Sequence, residues 1–273
     1  MPHLSGLMPS KPITIATWNI NSVRLRAGIV ADFVAAAKPD VLCLQEIKCQ
    51  NDQFPLKAFK AMGLKYVHIV GQKGWHGVAI ASRLPLEPVE APPLCRHGEA
   101  RAAAVKVAGI ELHDLYVPAG ADIPNPKVNP KFDHKLDVLA KMKTEYAKRR
   151  GMGPLVVVGD LNVAPGEHDV WSHKQLLDVV SHTPIETEGL EAAREAGGLI
   201  DTARQHKPAP EKLFTWWSYR SPDWTKNNRG RRLDHIWASP DVAAVSSDYA
   251  IHQRCRAWEK PSDHVPVTIK LKL

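Results

Sequence analysis

Apolar and polar positions follow two different periods along the first third of the chain. Residues 13–20 and 41–45 are short apolar runs of the length expected for β-strands. Between them, apolar residues recur at the three- and four-residue spacing of a helix, which predicts a helix over residues 24–37 with one apolar face. Pro39 and Asp40 end that helix and begin the next strand. The order strand, helix, strand predicts an α/β fold.

Shorter runs continue this mixture to the end of the chain. The predicted helices cover residues 56–62 and 133–148 and the region 185–206. The predicted strands cover residues 66–70, 77–82, 102–107, 111–117, 155–158, 212–217, 233–238, 249–252 and 265–273. No low-complexity linker or short internal repeat divides the chain. We therefore predict one domain over residues 13–273, a four-layer α/β sandwich of two mixed β-sheets flanked by helices, after a flexible extension over residues 1–12.

The composition is typical of a folded globular protein. Of the 273 residues, 44% are hydrophobic and 24% are charged, a balance that can build a large core. No run approaches the roughly 18 apolar residues of a membrane span. Residues 1–11 lack the basic start and apolar run of a secretory signal. We expect a cytoplasmic protein that does not bind membranes and that acts as a monomer.

The four cysteines indicate neither disulfides nor a zinc site. They form no CxxC pair, and Cys43 lies within an apolar run, where a buried reduced thiol is expected.

Lysine and arginine outnumber aspartate and glutamate by 36 to 29, which gives a net charge of +7. Such an excess suits a polyanionic partner. Many basic proteins bind no nucleic acid, so the charge indicates a function only together with a motif.

At six places an apolar run that is predicted to form a strand ends in carboxylate, amide, hydroxyl or imidazole side chains. These places are Asn19-Ile20-Asn21, Gln45-Glu46, Tyr116, Asp160-Leu161-Asn162, Leu233-Asp234 and Ser262-Asp263-His264. Ligand sites of α/β sheets lie at strand ends, so these side chains can meet in one pocket. Any one of them alone is more often a turn residue. Together, their carboxylate and amide oxygens predict a site for Mg²⁺ or Mn²⁺.

Several of these segments carry a family resemblance that runs from residue 13 to residue 273. The chain resembles the exonuclease III and AP endonuclease family, within the wider superfamily of endonucleases, exonucleases and phosphatases. The matching segments are Trp18-Asn19-Ile20-Asn21-Ser22-Val23-Arg24, Leu44-Gln45-Glu46-Ile47-Lys48, Gly77-Val78-Ala79, Tyr116-Val117-Pro118, Gly159-Asp160-Leu161-Asn162, Phe214-Thr215-Trp216, Arg232-Leu233-Asp234 and Pro261-Ser262-Asp263-His264. The resemblance implies a Mg²⁺-dependent DNA repair phosphodiesterase that incises 5' of abasic sites, degrades 3' ends and cleans blocked 3' ends of duplex DNA.

The resemblance also implies a role for each matching residue. Glu46 would be the principal metal ligand, with Asp263 and Asn19 completing or orienting the metal shell. Asp160 would activate the attacking water, and Asn162 would donate to a phosphoryl oxygen. His264, paired with Asp234, would face the phosphate, and Tyr116 would donate a hydrogen bond there or act as a phenolate. One ion fits Glu46 and Asp263, and a second ion could use Asp160, Asn162 and His264; Mn²⁺ is expected to replace Mg²⁺.

The DNA contacts that the resemblance implies lie around the same residues. Trp216 and Leu233 would form the walls of a small apolar pocket for a flipped deoxyribose without its base. Arg101 and Lys48 would contact phosphates, or would be ordinary surface charges. Aromatic and basic residues interleave over residues 216–232, which suits a DNA-binding surface.

The sequence departs from the family pattern at three positions and leaves two rival functions open. Ala119 stands where many relatives carry Asn or Gln, Asn21 where some carry Asp, and Arg231 where some carry Trp; the variable segment 179–184 could gate the cleft. One rival is another superfamily enzyme, such as a DNase I-like nuclease, a sphingomyelinase or an inositol polyphosphate phosphatase. The other is a nucleic-acid-binding protein without turnover.

Overall fold

The computed structural model describes residues 12–221 and 223–273, so the predicted extension over residues 1–12 lies outside the described part except for Pro12. The described strands are β1 Ile13–Asn19, β2 Val41–Gln45, β3 Tyr66–Val70, β4 Val78–Ser82, β5 Glu87–Val89, β6 Ala102–Val107, β7 Ile110–Tyr116, β8 Leu155–Asp160, β9 Ile200–Asp201, β10 Asp234–Ala238, β11 Ser246–Ile251 and β12 Val267–Leu271. The described α-helices are α1 Val23–Ala37, α2 Leu56–Ala61, α3 Pro130–Arg149, α4 His173–Leu176, α5 Pro184–Ala196, α6 Thr202–His206, α7 Trp224–Asn227 and α8 Pro240–Ala244, with short 3₁₀ helices at Asn51–Gln53, Glu167–Asp169 and Gln253–Ala257. None of these described helices combines the length and the apolar character needed to cross a membrane.

The strands form two six-stranded mixed sheets. The first sheet has the order β11-β12-β1-β2-β4-β3, and the second has the order β5-β6-β7-β8-β10-β9. Each sheet contains one parallel pair near its centre, β1 with β2 and β7 with β8, while the other neighbours are antiparallel. Helices flank the two sheets, which confirms the predicted four-layer α/β sandwich.

In each central strand, successive side chains point alternately into two different hydrophobic cores. In β1, Ile15 points into the cluster between the sheets, whereas Trp18 points outward to α1, where its ring lies 5.6 Å from that of Phe33. In β8, Val158 belongs to the cluster between the sheets and Val157 packs outward under α3 and α5. This period of two is the expected pattern of strands that are covered on both faces.

The inner-facing rows of side chains become polar at one end of the sandwich. Asn19 ends the inner row of β1, Tyr116 that of β7 and Asp160 that of β8. Asp234 lies opposite Asp160 in the register of β10 with β8, and Tyr116 lies opposite Asp160 on its other side. The alternation that builds the core therefore also places polar side chains between the two sheets at one end.

Two of the six predicted strand-end positions lie at strand starts. β10 runs antiparallel to β8, and β12 runs antiparallel to β1. Asp234 is therefore the first residue of its strand, and His264 precedes β12, yet both reach the same end of the sandwich as Asn19 and Asp160.

The prediction of a strand over residues 212–217 was wrong. The backbone N–H groups there bond to three separate segments: Leu213 to the carbonyl of His168, Thr215 to that of Arg231 and Trp217 to that of Asp263. A ladder needs one continuous partner, so the segment forms only isolated bridges.

Two predicted helices have different bounds in the structure. The region 185–206 contains α5, the short strand β9 and α6, because Gly198, with φ 62°, follows the end of α5. Helix α3 begins at Pro130, before the predicted residue 133, since the Asn129 side chain accepts hydrogen bonds from the N–H groups of Lys131 and Phe132.

Candidate active site

A cleft of about 790 Å³ opens where the inner rows become polar. Glu46, which follows β2 of the first sheet, and Asp160 of the second sheet both line it, as does His264. Trp216 and Leu233 form part of its wall. The cleft therefore collects residues that are more than 200 positions apart in the sequence.

Asn19 joins two carboxylates that belong to different sheets. Its amide nitrogen donates to Glu46 Oε1 at 2.9 Å and to Asp160 Oδ2 at 2.8 Å, while its oxygen accepts from the Asn21 N–H at 3.1 Å. Glu46 has a φ of 50°, an uncommon conformation for a non-glycine residue that recurs at functional sites. Asn19 thus holds the Glu46 carboxylate in place, and its own contribution to the metal shell stays a prediction.

Tyr116 contacts the same carboxylate as a neutral phenol. Its hydroxyl donates to Glu46 Oε1 at 2.9 Å. Burial raises the pKa of Tyr116 well above its usual value, and the nearby carboxylates of Glu46 and Asp160 raise it further. This environment supports the predicted role as hydrogen-bond donor and disfavours the alternative of a phenolate.

Asp160 is buried among amide donors. Its Oδ1 accepts from the Asn162 N–H at 3.0 Å, and its Oδ2 accepts from the side-chain amides of Asn19 and Asn162, the latter at 3.1 Å. Burial raises the pKa of Asp160 to about 7, aided by the Asp234 and Glu46 carboxylates and opposed by His264. A carboxyl group with such a pKa is suited to take up a proton near neutral pH.

His264 lies between two carboxylates. Its Nδ1 donates to Asp234 Oδ2 at 2.8 Å, and its Nε2 is 3.6 Å from Asp160 Oδ2. Burial alone would lower the pKa of His264, but the two carboxylates outweigh it and raise the pKa to about 10. Ligand atoms of all three residues lie within 4.8 Å of one another. The geometry agrees with the expected pairing of His264 with Asp234, and the number of ions stays a prediction.

Asp263 also lines the cleft. Its Oδ1 accepts from the Asn21 amide at 3.1 Å, and its Oδ2 accepts from Trp216 Nε1 at 3.0 Å. Burial would raise the pKa of Asp263, but the charge of His264 and these hydrogen bonds lower it below its usual value. Asp263 is therefore held as a carboxylate.

The oxygen atoms of Glu46 and Asp263 fit a hard divalent cation. Lys48 Nζ lies 2.9 Å from Glu46 Oε2 and donates to Asn21 Oδ1 at 2.6 Å, while Asn21 also contacts Asp263. Contacts through Lys48 and Asn21 thus link the Glu46 carboxylate to that of Asp263. Carboxylate and amide oxygens are the ligands that Mg²⁺ prefers.

Trp216 and Leu233 lie together as predicted. Leu233 belongs to a buried cluster with Ala164, Val170 and Leu176, against which Trp216 packs. The Arg231 guanidinium carbon lies 5.4 Å from the centre of the Trp216 ring. The wall is therefore apolar on one side and cationic on the other, and the cationic side belongs to Arg231, a position where the resemblance led us to expect a departure from the family pattern.

The basic residues near the cleft have three different environments. Arg231 donates to the Ser181 hydroxyl at 2.7 Å and to the Val180 carbonyl at 2.9 Å, so it holds the segment that was predicted to gate the cleft. Arg101 stacks on the Tyr116 ring at 4.8 Å, with a side chain only 10% exposed. Lys48 is bound to Glu46 and Asn21 as described above.

Two positioning residues were missed by the sequence analysis. Thr215 donates its hydroxyl to Asp234 Oδ2 at 2.6 Å and accepts from the Leu233 and Asp234 N–H groups. Lys135 is fully buried, donates to the Asn162 carbonyl at 2.7 Å and pairs with buried Glu186. Lys135 lies on the same face of α3 as buried Val138, a spacing that could have indicated an inward-facing lysine.

A buried ion-pair network fixes the segment that leads to Asp234. Arg232, which the sequence placed in a basic DNA-binding stretch, is fully buried and donates to Asp169 Oδ1 at 2.6 Å and to Asp201 Oδ2 at 2.8 Å. Burial would raise the pKa of Asp169, but the charge of Arg232 and its hydrogen bonds lower it to about 2. Arg232 is thus structural rather than DNA-facing.

Replacing Asp169 with Asn should lower the free energy of unfolding at pH 7 by about 3 kcal/mol, since the change leaves a buried guanidinium short of one partner. Because the folded-state pKa is depressed to about 2, this stabilisation is complete above the ordinary aspartate pKa of about 3.9 and fades as the pH falls through 2. Urea unfolding at pH 7, 5 and 3 measures the gap between variant and wild type. Asp248→Asn, in an exposed pair with Lys270, is the matched control and should cost under about 1 kcal/mol. A gap that widens towards pH 3 would contradict this account.

Known proteins match nearly the whole chain. The model of the endonuclease/exonuclease/phosphatase family matches residues 16–264. An exodeoxyribonuclease III of Haemophilus influenzae is 29% identical over 275 residues, which cover 94% of this chain and 98% of that protein. The structure of an AP endonuclease from Archaeoglobus fulgidus superimposes with a TM-score of 0.89 at 33% identity, covering 96% of this chain and 100% of that one. A 3'-5' exonuclease of Neisseria meningitidis superimposes with a TM-score of 0.87 at 31% identity and the same coverage.

Proposed function

The chain belongs to the endonuclease/exonuclease/phosphatase family, and within it to the exonuclease III and AP endonuclease group, and we propose that it is a Mg²⁺-dependent abasic-site endonuclease. The same site would remove nucleotides from 3' ends and clean blocked 3' ends of duplex DNA. The observation that carries the proposal is the meeting of Glu46, Asp160 and the His264–Asp234 pair in one cleft. A related 3' phosphatase from Neisseria, bound to a product DNA hairpin and 31% identical, supports the end-cleaning activity.

Glu46 and Asp263 would hold the metal ion, with Asn19 keeping the Glu46 carboxylate in place. When bound, the ion neutralises phosphate oxygens and lowers the barrier to attack. Mn²⁺ has the same preference for oxygen ligands and would support the reaction as well.

Asp160 would hold the attacking water and take up its proton, a task that suits a carboxyl group whose pKa is near 7. Asn162 would exchange its hydrogen bond to Asp160 for one to a phosphoryl oxygen. His264 would stay protonated through Asp234 and donate to the phosphate, where negative charge grows in the transition state. Tyr116 would donate from the other side.

The substrate would be recognised by shape rather than by base sequence. Trp216 and Leu233 offer an apolar wall to a deoxyribose without its base, and no unstacking of a base is needed at such a site. Lys48 and Arg101, with the net charge of +7, would contact backbone phosphates. Binding should therefore weaken as salt concentration rises.

The proposal assigns the activity to one catalytic domain over residues 13–273 that acts as a monomer. Both sheets supply residues to the cleft, so neither half of the chain contains the complete site. A second copy of the chain is not needed to supply any of the residues named above.

Incubating the protein with a 5'-labelled duplex that contains one tetrahydrofuran abasic analogue tests the proposal. With Mg²⁺ we expect one cut immediately 5' of the analogue, and with EDTA we expect intact strand. A ladder that grows from the 3' end of an undamaged duplex would measure the exonuclease component separately.

Substrate controls separate this proposal from its rivals. Phosphoinositides and sphingomyelin should release no product at protein concentrations that cut the abasic duplex completely. Faster turnover of either lipid than of DNA would place the enzyme in another branch of the superfamily. Tight binding of the duplex without any cleavage in Mg²⁺ or Mn²⁺ would instead indicate a binding protein.

A further inference from the structure

A second group of metal-ligating side chains lies outside the cleft. Cys95 and Glu99 belong to the loop between β5 and β6, and His134 lies in the second turn of α3. One ligand atom from each of the three residues lies within 4.8 Å of the others. The ligands come from two separate segments of the chain, so the absence of a CxxC pair, on which the expectation of no zinc site rested, does not bear on this group.

The distances within this group suit a tetrahedral ion. Cys95 Sγ lies 3.4 Å from His134 Nε2 and 3.7 Å from Glu99 Oε2. In a tetrahedral zinc site, bonds of about 2.3 Å to sulfur and about 2.0 Å to nitrogen or oxygen separate neighbouring ligand atoms by about 3.5 Å. The three side chains therefore need little movement to share one ion.

His134 is prepared to act as a ligand. The residue is only 6% exposed, and among the described residues its side-chain hydrogen-bonding partner is the Cys95 thiol. The His97 ring lies 4.4 Å from that of His134, which places a second imidazole beside the group.

We propose that Cys95, Glu99 and His134 form a second cation site that takes a thiophilic divalent ion such as Zn²⁺. The donor set of one thiolate, one imidazole and one carboxylate is softer than the oxygen atoms in the cleft, so the two sites select different ions. Mg²⁺ would enter the cleft, and Zn²⁺ would prefer this loop.

Glu99 connects the proposed zinc site to the cleft. The same Oε2 atom that faces Cys95 accepts from Arg101 Nε at 2.6 Å. Arg101 in turn stacks on the Tyr116 ring and donates to the Tyr116 carbonyl at 3.3 Å. An ion that takes the Glu99 carboxylate removes the counter-charge of Arg101 and loosens its contacts with Tyr116. Zinc binding therefore lowers nuclease activity.

Cobalt substitution tests for the site without relying on activity. Co²⁺ bound by a thiolate gives a near-ultraviolet sulfur-to-cobalt charge-transfer band. We expect this band at one equivalent in the full chain, its loss in Cys95→Ser and His134→Gln, and its displacement by Zn²⁺. Cys255→Ser, which removes a buried thiol elsewhere in the chain, is the control and should keep the band. Glu46→Gln should keep it too, since the oxygen site lies elsewhere.

Zinc titration of the Mg²⁺-driven cleavage reaction tests the connection to the cleft. The Zn²⁺ concentration that halves activity should rise at least about tenfold in Cys95→Ser relative to wild type and to Cys255→Ser. Activity without zinc should be unchanged in both. No charge-transfer band in the wild type, or an equal band in Cys95→Ser, would overturn the site. A band with identical zinc inhibition in wild type and Cys95→Ser would overturn its connection to the cleft.

Discussion

Replacing Asp160 with Asn is expected to lower the rate of abasic-site cleavage by about 10²- to 10⁴-fold, the usual contribution of a general base. The amide cannot take up the proton of the attacking water. The NH₂ group of the new amide would also face the N–H donors of Asn19 or Asn162, so one of these hydrogen bonds would be lost. In addition, the change removes one of the two carboxylates that keep His264 protonated. Single-turnover cleavage of the tetrahydrofuran duplex at saturating Mg²⁺ measures the loss.

Asp114→Asn is the matched control for this change. Asp114 is also a buried carboxyl group on an inner-facing row, where burial raises its pKa well above the usual value. It contacts Gln45 at 2.6 Å and lies outside the lining of the cleft. This variant should cleave within a few-fold of wild type. Equal losses in the two variants would mean that the effect of Asp160→Asn is structural, and unchanged cleavage by Asp160→Asn would refute its proposed role.

Replacing Glu46 with Gln is expected to lower cleavage at a fixed Mg²⁺ concentration by about 10²- to 10³-fold, since a metal ion contributes several kcal/mol to the transition state. The amide oxygen can still accept from Asn19 and Tyr116, but the charge that attracts a cation is lost. The half-saturating Mg²⁺ concentration should therefore move upward. Titration of cleavage against Mg²⁺ measures both effects.

The control for Glu46→Gln is Glu90→Gln, an isosteric change on the exposed surface. It should leave both the maximal rate and the Mg²⁺ midpoint unchanged. If Glu46→Gln had the wild-type midpoint and a reduced maximal rate, Glu46 would act on the phosphate or on Tyr116 and not on the ion.

The sequence predicted the layers and most polar members of the cleft because both follow from local patterns. The alternation that buries Ile15 and Val158 also points Asn19 and Asp160 inward. The pattern therefore predicts that both residues lie at strand ends and face the space between the sheets. The spacing of hydrophobic residues does not show whether a strand runs parallel or antiparallel to its neighbour. Asp234 and His264 reach the cleft only because β10 and β12 run antiparallel to their neighbours.

Charged residues were misjudged for a different reason. Lysine and arginine are usually exposed, so the residue types of Lys135 and Arg232 did not predict their burial; only the position of Lys135 on the same helix face as Val138 was a signal. Each is buried because partners distant in sequence, Glu186 in one case and Asp169 with Asp201 in the other, compensate its charge. Such pairings become visible only when the chain is folded. The same holds for the group of Cys95, Glu99 and His134, whose members belong to different elements.

The hydrogen bonds of Asn19 to Glu46 and Asp160 cross from one sheet to the other. The thickness of the hydrophobic core between the sheets therefore determines the distance between these two carboxylates. Packed sheets lie about 10 Å apart, and that gap is set by side-chain volume. Replacing a buried residue such as Ile15 or Val158 with a larger or smaller one would change the separation of the two sheets. The distance between the carboxylates would change with it, although neither residue lines the cleft. Such variants should lose nuclease activity before they lose the fold, because the hydrophobic core between the sheets sets the geometry of the catalytic residues.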